Sequence, residues 1–477
     1  MIKNIVNASA GVALLALTCG ACKLPSLTSG PTHKAVPASY SDSQDTTNIA
    51  ALKWKQYFAD PYLNNLIDTA LANNQELNII LQEIDISRNE IRARKGEYLP
   101  FVGIGAGAGV EKPGRYTNIG AMEANTEITP GEEMPDPLHD YRIGAYATWE
   151  LDIWHKLRNA KKAAVSRYLA TIEGRNFSVT TLISEIANSY YELLALDNQL
   201  NIVEKNIGLQ NDALKIVKLQ KEAARVNELA VRRFEAQVLN TKSLQYSIKQ
   251  RIIETENKIN FLLGRYPQPI ARSNQNLESL LPRSISAGLP AQLLANRPDI
   301  RRAENEVAAA KLDVKVAKAR FYPSVGISAS VGYSAFNPTY LFKSPESLLF
   351  SLAGDLAAPL INRNAIKATY YSANAKQIQT LYNYERTILN AYVEVANQLS
   401  KISNLEQTYD LKAQQVLALS QSIDISNDLF KSARADYMEV LMTQRDALEA
   451  RFELIETRKQ QMNAVVNIYQ ALGGGWN

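Results

Sequence analysis

Two stretches of the chain alternate between apolar and small residues. Val102, Ile104, Ala106, Ala108 and Val110 are separated by Gly103, Gly105, Gly107 and Gly109; Val325, Ile327, Ala329, Val331 and Tyr333 are separated by Gly326, Ser328, Ser330 and Gly332. A period of two puts one set on each side of a β-strand. Each stretch has a return strand. Tyr141, Ile143, Ala145, Ala147 and Trp149 alternate with Arg142, Gly144, Tyr146, Thr148 and Glu150, and a second return strand is expected near Leu348 to Leu356. One apolar face and one small or polar face fit lipid on one side and an aqueous lumen on the other. A soluble antiparallel sheet with one buried face produces the same alternation. Tyr98, Tyr141, Trp149, Trp154, Tyr322 and Tyr340 lie near the expected strand ends, as the aromatic girdles of a membrane barrel do. Four strands cannot close a membrane barrel, which needs at least about eight. Closure therefore demands several copies of the chain.

Between the strands the period changes. Residues 138–266 contain no proline, and residues 361–472 contain neither proline nor glycine. From Ile361 to Arg434 apolar residues recur every three or four positions, as in Ile388, Ala391, Val395 and Leu399, the spacing of an amphipathic helix. Such a segment extends for ~100 Å, beyond any globular core, and needs a neighbouring helix to cover its apolar stripe. Trp154 to Arg225 runs out about 70 residues and Arg225 to Gly264 returns about 40. A helix from Pro61 to Glu97, stacked end to end on the returning helix, supplies the difference. Pro298 to Arg320 repeats the arrangement, with Pro298 suited to a first helical turn.

The repetition is an internal duplication. Leu71-Ala72-Asn73 matches Leu294-Ala295-Asn296 and Tyr98-Leu99-Pro100 matches Phe321-Tyr322-Pro323, both 223 residues apart. Ala224-Arg225 matches Ala433-Arg434 and Leu263-Gly264 matches Leu472-Gly473, both 209 apart, which locates a deletion between the strands of the second copy. The chain divides into a leader (1–21), a tether (22–59), a first repeat (60–266), a linker (267–290) and a second repeat (291–477). The fold class is α+β, with duplicated helix-strand-strand-helix halves.

Lys3 followed by the mostly apolar Ile5 to Leu17 is the layout of a secretory signal peptide. No segment approaches the ~20 uninterrupted apolar residues of a spanning helix, so any membrane crossing is by β-strands. The only cysteines, Cys19 and Cys22, lie at the end of this leader and leave the mature body without a disulfide. Cys19-Gly20-Ala21-Cys22 resembles a bacterial lipobox, with Cys22 the acylated first residue, although Cys19 stands where leucine is usual. Lys23 resembles the residue that follows the acylated cysteine in lipoproteins sent to the outer membrane. Residues Pro25 to Asn48, rich in Ser, Thr and Pro, read as an extended tether.

A net charge of +4 spread over 52 basic and 48 acidic residues indicates no nucleic-acid partner, because no Lys/Arg cluster interleaves with aromatics along the chain. The three histidines, His33, His139 and His155, have no carboxylates at metal-ligand spacing, and no nucleophile motif or phosphate loop is present. Gly473-Gly474-Gly475 reads as a helix stop. Neither an enzyme nor a resident cofactor or metal is expected. A structural coiled-coil surface protein is the alternative class, but it needs neither glycine-rich strands nor a duplication.

The chain resembles the outer-membrane efflux protein family, the TolC-like channels, in their lipoprotein branch. The resemblance rests on Trp149-Glu150-Leu151-Asp152-Ile153-Trp154, Arg297-Pro298-Asp299-Ile300-Arg301, Ala319-Arg320-Phe321-Tyr322-Pro323-Ser324 and Ala435-Asp436-Tyr437-Met438-Glu439-Val440-Leu441, in this order and within a duplicated frame. It implies a homotrimer whose twelve-stranded β-barrel continues into a long periplasmic α-helical barrel, docking on a periplasmic adaptor and an inner-membrane transporter in contact with outer-membrane lipid. It implies a passive exit channel for efflux, with a channel for type I protein secretion as the alternative. It places helix tips near Phe430 to Tyr437 and a constricting aperture just before them. Asp424 and Asp428, four residues apart, share a helix face there, and three copies supply six carboxylates; the same spacing fits two solvated residues on an outer face. Arg225, Lys431, Arg434 and Asp436 are the matching candidates for adaptor contact or for a latch between chains. Family members often carry glycine where this chain has Ala224 and Ala433.

Overall fold

The computed structural model describes residues 25–28, 37–40, 47–273, 287–361, 363–432 and 434–476; the leader, Cys22 included, lies outside them. In chain order the strands are β1 (Phe101–Glu111), β2 (Glu127–Thr129), β3 (Glu132–Glu133), β4 (Leu138–Leu151), β5 (Ser324–Ala335) and β6 (Leu348–Ala357). The helices are α1 (Trp54–Tyr57), α2 (Pro61–Asn73), α3 (Gln75–Glu97), α4 (Asn118–Glu123), α5 (Lys156–Glu222), α6 (Glu228–Leu262), α7 (Leu293–Asn296), α8 (Pro298–Ala319), α9 (Asn364–Lys431) and α10 (Tyr437–Ala471). Each half thus runs helix, two main strands, a helix of nearly seventy residues and one of thirty-five. None of the described helices is long and apolar enough to cross a membrane.

One compact unit gathers Asp85–Leu169 and Asn305–Tyr382 with the described residues before Pro31. Its antiparallel sheet has the order β1-β4-β5-β6, so the two halves meet at the β4–β5 ladder and β1 and β6 are left as edges. Between β1 and β4 the chain adds α4 and the small β2–β3 hairpin, elements without strong periodicity in the sequence. In this unit Leu27 packs against Phe321 and Tyr370, and Asn374 donates to the Thr28 carbonyl at 3.3 Å. The tether therefore has a fixed point five residues after Cys22.

The other unit gathers Thr32–Ile84, Ala170–Glu304 and Asn383–Asn477, and it holds the main apolar core. Leu63, Ile67, Ile186, Tyr190, Leu193, Ile259, Tyr469 and Leu472 are all but fully buried there. Residues 47–59, which the sequence division places in the tether, pack on this core. Trp54 and Phe58 are buried, the Tyr57 ring stacks on Tyr469 at 4.1 Å, and the Tyr57 hydroxyl donates to the Val465 carbonyl at 2.7 Å. Burial raises the hydroxyl pKa values of Tyr57, Tyr190 and Tyr469, so these groups act as neutral donors. Asp60, also buried, accepts from the Tyr62 amide and the Tyr190 hydroxyl, which replace the water that burial removes.

The expected single helix from Pro61 to Glu97 is interrupted at Asn74. There the backbone is extended (φ −61°, ψ 127°), and the Asn74 side chain caps α3 by accepting from the Leu77 amide at 3.0 Å. The same side chain donates to the Leu262 carbonyl at the end of α6 (2.9 Å). The second half repeats this contact 223 and 209 residues on, where Arg297 donates to the Ala471 carbonyl at the end of α10 (2.8 Å). Gly264 and Gly473 complete the two junctions with φ of +68° and +87°. A Cβ at either would stand 2.5 Å from the Asn73 carbonyl oxygen or 2.6 Å from that of Asn296. The short helices thus meet the returning ones end to end, and glycine is required by both dihedral and space.

Candidate functional site

The sheet is the first element with functional geometry. Its register is unbroken, so rows can be read across all four strands. Ile104, Ala145, Val331 and Phe350 form one row, and Val102, Ala147, Ala329 and Leu352 the next on the same face. Gly103, Tyr146, Ser330 and Ser351 form a row on the other face, where the two serine hydroxyls lie 2.8 Å apart. Ile104, Phe350 and Leu352 are 82%, 79% and 78% exposed. An exposed apolar face of this extent is a surface for an apolar environment. The opposite face is hollowed into a concavity of about 410 Å3, lined on that side by Asp140, Arg142, Tyr146, Ser330 and Ser334. Close approach of β4 and β5 at Gly144 and Gly332, where a Cβ would fall within 3 Å of the facing backbone, brings the middle strands together beneath it. The sheet thus curls with its small and polar residues inward.

Aromatic residues mark both ends of the strands. At the loop end Tyr333 meets Phe342 at 5.8 Å and Phe336 meets Tyr340 at 5.5 Å. At the helix-bearing end Trp154 stacks on Tyr322 at 4.7 Å and donates to the Pro323 carbonyl, while Trp149 donates to the Tyr98 carbonyl. Indoles that satisfy their N–H while leaving the ring exposed suit a membrane–water boundary.

The helix tips are the second element. Between α5 and α6, Ala224 takes φ +54°, and the Arg225 amide donates to the Gln220 carbonyl at 2.8 Å, the six-to-one bond of a Schellman turn. At the other tip the Arg434 amide donates to the Leu429 carbonyl at 2.8 Å, 209 residues on; Ala433 lies outside the described residues. A left-handed alanine costs about 1 kcal/mol more than glycine there, so Ala224 strains this turn while the turn still closes with its six-to-one bond. The two tips share an apolar cluster that the sequence did not single out: Val217, Val231, Phe234 and Leu441 are buried, with Phe430 and Tyr437 against them. Lys218 pairs with Glu235 at 3.1 Å and Arg232 with Glu228 at 2.8 Å, and Lys221 bonds to Glu228 as well. Hydrogen bonds from Lys221 and Lys218 hold the Glu228 and Glu235 carboxyls below the usual range.

The candidate residues distribute unevenly around these tips. Asp424 and Asp428 are both exposed on α9, while Ser426 between them is buried, so the carboxylate pair lies on the side of the helix turned away from its packed neighbours. Lys431 is brought to Asp428 at 3.3 Å, within its own helix. Arg225, Arg434 and Asp436 are exposed and have no ion-pair partner among the described residues; Asp436 occupies the N-cap of α10 without a side-chain bond to it. No group of His, Cys, Asp and Glu among the described residues could hold a metal ion.

The profile of the outer membrane efflux protein family matches residues 66–265 and 289–474. The chain belongs to that family. It is an efflux channel protein of the outer membrane, with TolC-like architecture and a long periplasmic extension. Among relatives, it is 27% identical over 477 residues to the pyoverdine export outer membrane protein OpmQ of Pseudomonas aeruginosa, covering 99% of this chain and 97% of that one. It is 27% identical over 443 residues to the toluene efflux pump outer membrane protein TtgI of Pseudomonas putida (92% and 91% covered), and 26% identical over 445 residues to the cation efflux system protein CusC of Escherichia coli K12 (92% and 93%). Among solved structures, CusC superposes with a TM-score of 0.82 at 24% identity, covering 94% of this chain and 99% of that one. The open-state MtrE channel of Neisseria gonorrhoeae gives 0.82 at 23% identity, with 95% and 98% covered. These likenesses show the fold.

Proposed function

We propose that three copies of this chain close one barrel and form the passive exit duct of a tripartite efflux pump, docking through the helix tips on a periplasmic adaptor fed by an inner-membrane transporter. The observation that carries the reading is the sheet: an apolar exposed face, a hollow polar face, and two open edges, β1 and β6, on only four strands. Unpaired edges in a membrane must be paired, and twelve strands from three copies satisfy them within the known range of barrels. The relatives are named for pyoverdine export, toluene efflux and cation efflux at near-equal identity to this chain. That spread supports a duct whose cargo is selected elsewhere in the pump.

Asp424 and Asp428 form the aperture in this reading, and Arg225, Lys431, Arg434 and Asp436 serve the adaptor contact or a latch between chains. The pore reading and the aperture are tested together in a planar bilayer, after light scattering has established a trimer. Wild-type trimers conduct weakly and are blocked by divalent cations. Asp424→Ala with Asp428→Ala raises conductance severalfold and relieves the block. A folded monomer sinks the duct; unchanged conductance and block in an intact trimer remove these two residues from the gate.

The anchor belongs to the same reading. Leu27, five residues after Cys22 in the sequence, is fixed against Phe321 and Tyr370 beside the start of β5 and of α9, and five residues of chain span at most ~18 Å. Cys22→Ser is expected to abolish incorporation of labelled fatty acid while the trimer still inserts. Persistent labelling of that variant would move the acylation to Cys19.

A further inference from the structure

The helix-bearing end of the sheet assembles charge that no single stretch of sequence displays. Four segments meet the strands there: 94–100, 152–162, 315–323 and 363–367. Together they carry eleven Lys and Arg against two acidic residues, whereas the connection 111–140 at the opposite end carries seven acidic residues against two basic. The centre of the basic end is well defined. Trp149, which continues the apolar-face set through Ala147, donates its indole N–H to the Tyr98 carbonyl at 3.1 Å. Over the Tyr98 ring hang two cations of α5, the Arg158 guanidinium at 5.9 Å and the Lys161 ammonium at 6.0 Å.

These cations are poorly neutralised. The nearest carboxylate, Asp152, is almost wholly buried and accepts from the Leu157 and Arg158 backbone amides at 2.9 and 2.8 Å; it reaches the Arg158 side chain only at 4.0 Å. Lys161 has no carboxylate partner among the described residues. Two like charges over one ring, continuous with a lipid-facing surface and flanked by an indole, leave a place for a phosphate whose acyl chains run along the apolar strands.

We propose that Arg158, Lys161, Tyr98 and Trp149 form a seat for the headgroup phosphate of an anionic phospholipid in the periplasmic leaflet. The proposal rests on the outer-membrane placement of the sheet. The opposite end has a single cation over a tyrosine, Lys343 at 4.6 Å from the Tyr340 ring, beside the acidic 111–140 connection and with no second cation on that ring, so the paired-cation seat is confined to one leaflet and helps fix the depth of the barrel. Each cation near a lipid surface contributes about a fivefold preference for an anionic lipid.

The test uses the trimer carrying Trp154→Phe in vesicles of phosphatidylcholine or phosphatidylglycerol, with brominated acyl chains quenching Trp149. Phosphatidylglycerol is expected to quench more strongly, with a relative association at least about fivefold above phosphatidylcholine. The excess is expected to vanish in Arg158→Gln with Lys161→Gln and to survive Lys242→Gln with Lys258→Gln on α6. Equal quenching by both lipids, or an excess that survives the first pair, overturns the seat while leaving the sheet in the bilayer. Loss of the excess to inorganic phosphate at constant ionic strength assigns the site to a free ion and overturns it too. No quenching by either lipid removes the membrane placement itself and the proposal with it.

Discussion

Arg297→Met is expected to lower the unfolding free energy of the unit that holds the main core by about 3 kcal/mol. The Arg297 side chain is 5% exposed and its guanidinium is shared among three acceptors: both oxygens of Asp299 at 3.0 and 2.7 Å, Glu394 at 2.7 Å and the Ala471 carbonyl at 2.8 Å. Burial works against this charge, but the hydrogen bonds and charges of Asp299 and Glu394 outweigh it and the pKa is raised. Methionine keeps the volume and removes every donor, leaving the Asp299 carboxylate, 19% exposed, and the last carbonyl of α10 without their main partner. Glu394 is more than half exposed and returns to water at little cost. Asn74, the equivalent position in the first half, carries no charge and makes one bond to α6 besides its cap. Asn74→Ala is therefore expected to cost about 1 kcal/mol. Urea unfolding followed by far-UV circular dichroism separates the two values; equal losses, or less than about 1 kcal/mol for Arg297→Met, would show that the charged cluster does not hold the junction.

That pair also shows what the sequence could and could not reveal. The offsets of 223 and 209 residues were visible in short identities such as Leu71-Ala72-Asn73 and Leu294-Ala295-Asn296, and they recur as equivalent hydrogen bonds. The junction residues themselves differ, asparagine in one half and arginine in the other, so no identity marks them. Alternation gave the four long strands because a sheet with two unlike environments forces period two over ten or more residues. The break at Asn74 was hidden because apolar periodicity continues on both sides of it and a capping asparagine resembles any polar helix position. The tip cluster around Phe234 and the basic end of the sheet were hidden for another reason. Each draws on segments far apart in sequence, such as 98 and 158 or 234 and 441, whose proximity exists only once the helices pack. The candidate aperture stands between these cases: spacing puts Asp424 and Asp428 on one face, and the buried Ser426 turns that face outward from the chain's own packing.

Leu352→Arg is expected to block assembly in the membrane, while Ser351→Arg, one residue earlier, inserts normally. Leu352 lies in the middle of β6 in a row with Val102, Ala147 and Ala329; Ser351 faces the hollow side, with its hydroxyl on Ser330. An arginine at the lipid midplane costs about 2–4 kcal/mol per strand position, and a closed trimer carries it three times. In the hollow, water solvates the same side chain, and the three added charges shift ion selectivity toward anions. Insertion is read as resistance of the membrane-associated protein to urea extraction, and selectivity as the reversal potential in a salt gradient. A soluble sheet predicts no such difference: Leu352, 78% exposed, and the exposed Ser351 would then both face water, where an arginine changes stability by no more than about 0.5 kcal/mol. Wild-type insertion of Leu352→Arg therefore contradicts the lipid-facing assignment of Leu352, wild-type protein that urea extracts from the membrane restores the soluble alternative, and equal failure of both variants contradicts the division of the sheet into a lipid face and a lumen face.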